Sequence, residues 1–134
     1  ENETRSQLAT GCDWLPTLVS LCGLKNAVQK FDGKDLSAVL SDAESRSPHN
    51  VFHWESGGPP SARQWAVRKG SWKLIGNPRD TSNKAPITVR DKRFLVNLDN
   101  SVTELENLAD KHPDIVQELE SLHRDWVDEI RKQP

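Results

Sequence analysis

Methionine is absent from the sequence, position 1 included, so Glu1 is expected to lie within a longer polypeptide rather than at an unprocessed translation start. Residues 1–12 fit that expectation, being polar and without helical or strand periodicity. Long apolar runs are also missing. No stretch approaches the roughly 20 apolar residues of a membrane span and no basic-then-apolar leader opens the chain, so no membrane partner is expected. Basic charge is not in excess either: Lys and Arg number 18 against 20 Asp and Glu, without a basic block, which removes the electrostatic footprint of a nucleic-acid partner. Cysteine is scarce. Cys12 and Cys22 are separated by a helical pattern that would set them roughly 15 Å apart along its axis, too far for a disulfide, so two reduced, buried or half-buried thiols are expected.

What is present is enough for a modest core: 34% of the 134 residues are apolar and the mean hydropathy is -0.72, a balance that leaves much exposed loop. In the run from Asp13 to Gly23, Asp13 is placed as an N-cap, Pro16 falls in the first turn and Gly23 stops a short helix. Leu15, Leu18, Val19 and Cys22 follow the three-four spacing of one buried face, so this helix is expected to need a partner surface. Asp32-Gly33 marks a turn, and Leu36, Val39 and Leu40 predict one or two further helical turns. From Asn50 the composition turns to strand: Val51–Glu55, Gln64–Arg68, Ser71–Ile75 and Arg93–Leu98, with Lys69-Gly70 joining the middle pair as an antiparallel hairpin. Ile115, Leu119, Leu122, Trp126 and Ile130 recur at spacings of four and three behind Pro113, which predicts a long amphipathic C-terminal helix as cover for the sheet. The fold class expected is therefore α+β: a small four-stranded antiparallel sheet packed by a long C-terminal helix and preceded by a short helical segment.

Catalytic signatures are missing as well. The chain has no nucleophile elbow, phosphate loop, dinucleotide fingerprint or zinc-protease helix. His49, His53, His112 and His123 are spread over separate elements, as ordinary surface or packing histidines rather than a metal site. There remains an ordered set of short phrases: Asp13-Trp14-Leu15-Pro16-Thr17-Leu18, Leu21-Cys22-Gly23-Leu24, Asp32-Gly33-Lys34-Asp35-Leu36, Ala66-Val67-Arg68-Lys69-Gly70-Ser71-Trp72-Lys73-Leu74-Ile75, Asn107-Leu108-Ala109 and His112-Pro113. Their succession resembles the C-terminal third of a type I sulfatase (arylsulfatase family) of the alkaline-phosphatase superfamily. The departure from that pattern is Ser101-Val102-Thr103 before Glu104, where the family has D-P-G.

The resemblance implies a parent enzyme that hydrolyses sulfate esters through a formylglycine beside a calcium ion, both in a catalytic domain upstream. Neither Cys12 nor Cys22 lies in the C/S-x-P-x-R motif from which the formylglycine is made, so no catalytic residue, cofactor or metal ligand is expected in this chain, and Asp13 is expected as a helix cap rather than a calcium ligand. By the same resemblance residues 1–48 would be the helical end of the catalytic domain and 49–134 a C-terminal α+β subdomain. The missing catalytic domain and a sulfated carbohydrate or other sulfate ester would be its partners, and a periplasmic or secreted location would follow. The loop from His53 to Arg63 holds two glycines and two prolines and is expected to lend a wall to the substrate cleft, with His53, Arg63 and Arg68 as candidate contacts to an anionic group. Against that stand a solvated Arg63 and a His53 on a strand face. A free-standing carbohydrate-binding module using Trp54 and Trp65, or the corresponding piece of a phosphodiesterase or phosphonate hydrolase, are the other readings, and the first helix, deprived of its partner, is expected to leave a surface through which the chain could dimerise.

Overall fold

The computed structural model describes residues 3–24, 30–59, 62–80, 84–85, 87–88, 90–100 and 103–132. It shows two compact units, Glu1–Asn50 and Val51–Pro134. The departure noted at Ser101-Val102 lies outside the described residues, as do Pro60 and Ser61 of the loop after the first strand.

In the first unit Thr10 begins a 3-10 turn over Gly11–Asp13: its hydroxyl accepts the Cys12 N–H at 3.3 Å while the Asp13 carboxylate accepts the Thr10 N–H at 2.7 Å. Helix α1, Trp14–Leu21, follows directly. It ends as Gly23 turns into the left-handed region (φ 64°), with Gly23 N–H bonded to the Ser20 carbonyl and Leu24 N–H to the Val19 carbonyl, the paired bonds of a Schellman stop. The short helix α2, Ser37–Ser41, completes the unit. Its buried apolar residues are Leu8, Leu36 and Val39, whereas Leu40 is exposed. Residues 5–8 strap onto the later part of the unit through Arg5 Nε to the Val39 carbonyl (3.0 Å), Gln7 Nε2 to the Ala43 carbonyl (2.7 Å) and Ser47 Oγ to the Leu8 carbonyl (2.9 Å).

Two expectations are corrected here. The side of α1 turned inward is not Leu15, Leu18, Val19 and Cys22 but Pro16 and Thr17, with Asp13 just before them; Leu15 and Leu18 are 56% and 52% exposed. Asp13, moreover, makes no side-chain cap bond to α1. It is fully buried, its Oδ1 accepts the Lys34 N–H at 2.8 Å, and His49 Nε2 lies 2.9 Å from each carboxylate oxygen. Thr17 continues the link, donating its hydroxyl to the Asp13 carbonyl at 2.6 Å and accepting the Leu36 N–H at 2.9 Å. Three backbone or ring donors thus converge on one carboxylate, and satisfying them inside requires that the polar side of the helix face in. The phrases D-x-x-P-T-L and D-G-x-x-L are two halves of this lock. Gly33 must lack a side chain because a Cβ there would sit 2.0 Å from the Cys12 carbonyl oxygen.

The second unit is a sheet in the order β1-β2-β3-β4, antiparallel throughout, formed by Val51–Glu55, Trp65–Lys69, Trp72–Gly76 and Arg93–Asn97. Register aligns His53, Val67, Leu74 and Leu95 in one cross-strand row. Helix α3, Pro113–Arg131, covers that face: Leu119 joins Val67, Leu74 and Leu95 in the buried cluster, flanked by Ile115, Val116 and Leu122. Ile130, the last member of the apolar stripe, is exposed. The β2–β3 hairpin turns at Gly70 (φ 57°), one residue later than the sequence suggested. The Trp65 ring lies over its cross-strand partner Gly76, where a Cβ would come within 2.0 Å of the indole.

Asn107 explains the N-L-A phrase. Its Oδ1 accepts the Leu95 N–H at 3.0 Å and its Nδ2 donates to the Arg93 carbonyl at 3.0 Å, while Leu108 N–H bonds to the Leu95 carbonyl at 2.8 Å. One amide side chain therefore does for the free edge of β4 what a further strand would do. Glu104, held in the left-handed region at φ 53°, is fixed by Lys73 Nζ, which donates to both carboxylate oxygens at 2.8 Å.

Candidate functional site

Among the described residues no group of three or more His, Cys, Asp or Glu could hold a metal ion, and the one buried carboxylate in the first unit already carries backbone N–H and ring donors. These residues do not fit a calcium site. Both cysteines are free, and both are exposed rather than buried or half-buried. Burial by itself would raise the Asp13 carboxyl, but the Lys34 and Thr10 N–H groups and the His49 ring outweigh it and hold the group below its ordinary value, as expected of a structural tether.

The three candidate substrate contacts fall on two sides of the sheet. Val67 points into the core, so its neighbour Arg68 points to the opposite face, where its Nε donates to the Gly70 carbonyl at 2.9 Å. His53 and Arg63 lie on the α3 side. Arg63 pairs with Glu55, two residues along β1 from His53, at 3.1 Å and also donates to the Gly58 carbonyl at 3.3 Å. Its backbone is fixed by Asn77, which takes the left-handed conformation (φ 51°) and donates its side-chain amide to the Arg63 carbonyl at 2.8 Å.

His53 itself is sandwiched into the seam between sheet and helix. Its ring stacks on Trp126 with centroids 4.8 Å apart and planes 6° from parallel, and lies 5.6 Å from the ring of His123. His123 stacks on Trp65 at 4.2 Å, and the Arg93 guanidinium lies 5.0 Å from the centroid of the same indole. Burial, with His123 beside it, pushes His53 down to about 4. His123 is lowered too, by burial first; Glu55 works against the shift and Arg93 with it. Both rings are therefore neutral near pH 7, able to donate or accept a hydrogen bond but not to supply charge.

Beside this seam is a cavity of about 270 Å³ between the β1–β2 loop and the end of α3. Arg63, Asn77 and His123 line it together with Arg124 and Arg131, neither of which is among the expected site residues. The signal that could have found them is their spacing: seven residues is two helical turns, which puts both on one exposed face, next to the buried side that carries His123. On the outer face of the sheet Trp54 is 40% exposed and makes an edge contact to Phe52 at 4.7 Å. Trp65, by contrast, has its ring taken by His123 and Arg93 and offers no open platform.

The neutral histidine seam has a stability consequence. Unfolding returns both rings to the ordinary histidine value near 6.5, so the unfolded chain binds more protons than the folded one as pH falls below that value. Stability from this seam is complete above about pH 6.5 and is lost towards pH 4. The melting temperature of the sheet unit is expected to fall steadily between pH 7 and 4.5, and replacing His53 and His123 together by glutamine is expected to flatten that slope; an equally steep slope in the double variant would place its origin elsewhere. The carboxylates Asp13, Asp35 and Asp91 are also shifted, but downward from 3.8, so their contribution is lost only below this window.

No family model matches the chain. An uncharacterized sulfatase of Schizosaccharomyces pombe is 31% identical over a 124-residue alignment that takes in 84% of this chain but 20% of the relative. The chain therefore spans about one fifth of the length of that relative. Two solved structures share the fold: BT4656, in complex with its substrate D-glucosamine-2-N,6-O-disulfate (TM-score 0.61, 18% identity, 90% of this chain and 24% of that one), and a 6S-sulf structure from work on glycosaminoglycan metabolism by Bacteroides thetaiotaomicron (TM-score 0.52, 19% identity, 82% of this chain and 23% of that one). The chain is homologous to the C-terminal portion of sulfatases.

Proposed function

We infer that the chain works as the C-terminal, non-catalytic part of a sulfatase acting on sulfate esters, a sulfated carbohydrate or an aryl sulfate. The observation that carries this reading is the alignment itself: it takes in 84% of the chain and only 20% of a sulfatase. The substrate of BT4656, a disulfated glucosamine, supports the choice of a sulfated carbohydrate. In this reading residues 1–48 are the helical end of the catalytic domain and 49–134 the C-terminal subdomain. Calcium and formylglycine belong to the upstream portion of the parent, where the formylglycine supplies the group that attacks sulfur. The parent is periplasmic or secreted; among the described residues no helix is long and apolar enough to cross a membrane.

The chain's own tasks are then cover and recognition. Trp14, Leu15, Leu18 and Leu21 present an exposed apolar face on an ordered helix, suited to burial against the catalytic domain, or against a second copy when the chain is alone. The loop between His53 and Arg63 forms a wall of the cleft, with Arg63 as its charged contact; His53 acts through the seam that positions this side of the sheet, and Arg68 serves the opposite face. Arg63→Ala in the full-length enzyme is expected to lower kcat/KM for a sulfated saccharide about tenfold or more, the scale of losing about 1.5–3 kcal/mol of charge-assisted hydrogen bonding. A small aryl sulfate that does not reach the loop is expected to be hydrolysed almost as before. Equal losses on both substrates would mean a damaged fold, and no loss on either would return Arg63 to the solvated surface.

A further inference from the structure

Helix α3 is held to the sheet in two different ways along its length. Up to Leu122 the contact is apolar, with Ile115, Val116, Leu119 and Leu122 packed against Val67, Leu74 and Leu95, and such a contact does not titrate. Beyond Leu122 the grip passes to rings. His123 stacks on Trp65 and Trp126 on His53, with centroids 4.2 and 4.8 Å apart, while Ile130, the next apolar member of the stripe, is exposed. The far end of the helix is therefore fastened by two histidine–tryptophan pairs.

Those pairs suit neutral rings only. Nδ1 of each histidine is buried without a hydrogen-bond partner among the described residues; in an imidazolium both ring nitrogens carry a proton, so a charged ring would bury an N–H with nothing to receive it. The two rings lie 5.6 Å apart, near enough for two charges to repel. The surrounding charges do not compensate. Glu55 of β1 is taken by Arg63, Arg93 of β4 by Glu120 of α3, and Lys69 of β2 by Glu118, while β3 turns Trp72, Leu74 and Gly76 to this face. Arg124, Asp128 and Arg131 of α3 line the cavity beside His123. Five cationic side chains thus stand against four carboxylates before either ring is protonated. The indole of Trp65, whose face could otherwise favour a cationic ring, already has the Arg93 guanidinium 5.0 Å from its centroid. We propose that the seam is an acid-released latch: protonation of His53 and His123 frees α3 from His123 onward from β1 and β2, while the cluster around Leu119 stays closed. Residues 123–131, without packing, are too short a stretch to remain helical and fray. A charged His123 also draws on Glu55, which acts on it electrostatically and otherwise pairs with Arg63, so release loosens the anchor of the β1–β2 loop. None of this depends on the reaction of the parent.

The open end returns both rings to the ordinary value of 6.5, so it binds more protons than the closed end and its population rises as pH falls from 6.5 towards 4. His53 alone, shifted between those two values, raises that population about twentyfold from pH 7 to pH 5. Hydrogen exchange of the 134-residue chain, expressed as protection factors to remove the intrinsic pH dependence of exchange, reads the latch. Residues 126–128 are expected to lose protection about twentyfold or more between pH 7 and pH 5, and residues 119–122 to change several-fold less. Replacing both histidines by phenylalanine, His53→Phe with His123→Phe, keeps two rings in the seam and removes the titrating nitrogens. In the folded double variant residues 126–128 are expected to be equally protected at the two pH values. Should that variant not fold, the wild-type ring signals in NMR decide, because both imidazoles of the closed chain are expected to titrate below 6.5, His53 about two pH units below. Protection at 126–128 that is constant with pH, that falls in step with residues 119–122, or that falls as far in the phenylalanine variant would each overturn the latch, as would imidazoles that titrate at 6.5.

Discussion

Replacing Asp13 by alanine is expected to cost the first unit about 3 kcal/mol or more. The carboxylate is fully buried and collects the N–H groups of Thr10 and Lys34 and the ring nitrogen of His49. Alanine removes the acceptor and leaves those donors behind, and each buried donor without a partner costs on the order of 1–3 kcal/mol, more where charge is involved. The effect should be local to what the carboxylate ties together: the turn at residues 10–13, the start of the segment leading to α2, and His49, two residues before β1. Hydrogen exchange reads it directly. The amides of Lys34 and Leu36, bonded to Asp13 and Thr17, are expected to lose protection by roughly two orders of magnitude, following from 1.4 kcal/mol per tenfold. Asp13→Asn keeps one acceptor oxygen and is expected to fall between. Unchanged exchange at Lys34 and Leu36 in the alanine variant would show that the carboxylate is not what holds the unit together.

The same residue shows where reading the sequence reached its limit. Strand and helix positions were legible because periodicity and turn residues are local: the four strands lie within one residue of their expected places at either end, and Pro113 opens α3 as its fixed φ allows. The packing of α3 followed from its stripe, and Leu119 is its buried centre. For α1 the stripe misled. Its leucines describe a face that is exposed, while the inward side is chosen by polar groups whose partners, Lys34 and His49, lie 21 and 36 residues away. No local pattern reports bonds of that span. Asn107 is similar: it reads as a loop residue until Leu95 is placed beside it.

The candidate site was half legible. Arg63 could be singled out by charge in a shaped loop, but the histidine seam and the contribution of Arg124 and Arg131 depend on which face of α3 meets the sheet. His53 was placed correctly on its strand, yet its chemistry is set by Trp126 and His123, which stack beside it and keep it neutral. Arg68 is separated from the other two candidates by the alternation of the strand itself.

The second large effect concerns activity. On the proposed reading, a chain without the formylglycine motif that matches one fifth of a sulfatase is expected to leave the nucleophile that attacks sulfur to the upstream portion of its parent. The direct measurement is hydrolysis of a chromogenic aryl sulfate by the full-length parent and by the purified 134-residue chain side by side, with and without calcium. The parent is expected to turn over the ester and the isolated chain to release chromophore no faster than buffer at any calcium concentration, its unfolding transition unmoved by the ion. Turnover by the chain alone, clearly above buffer, would contradict the account.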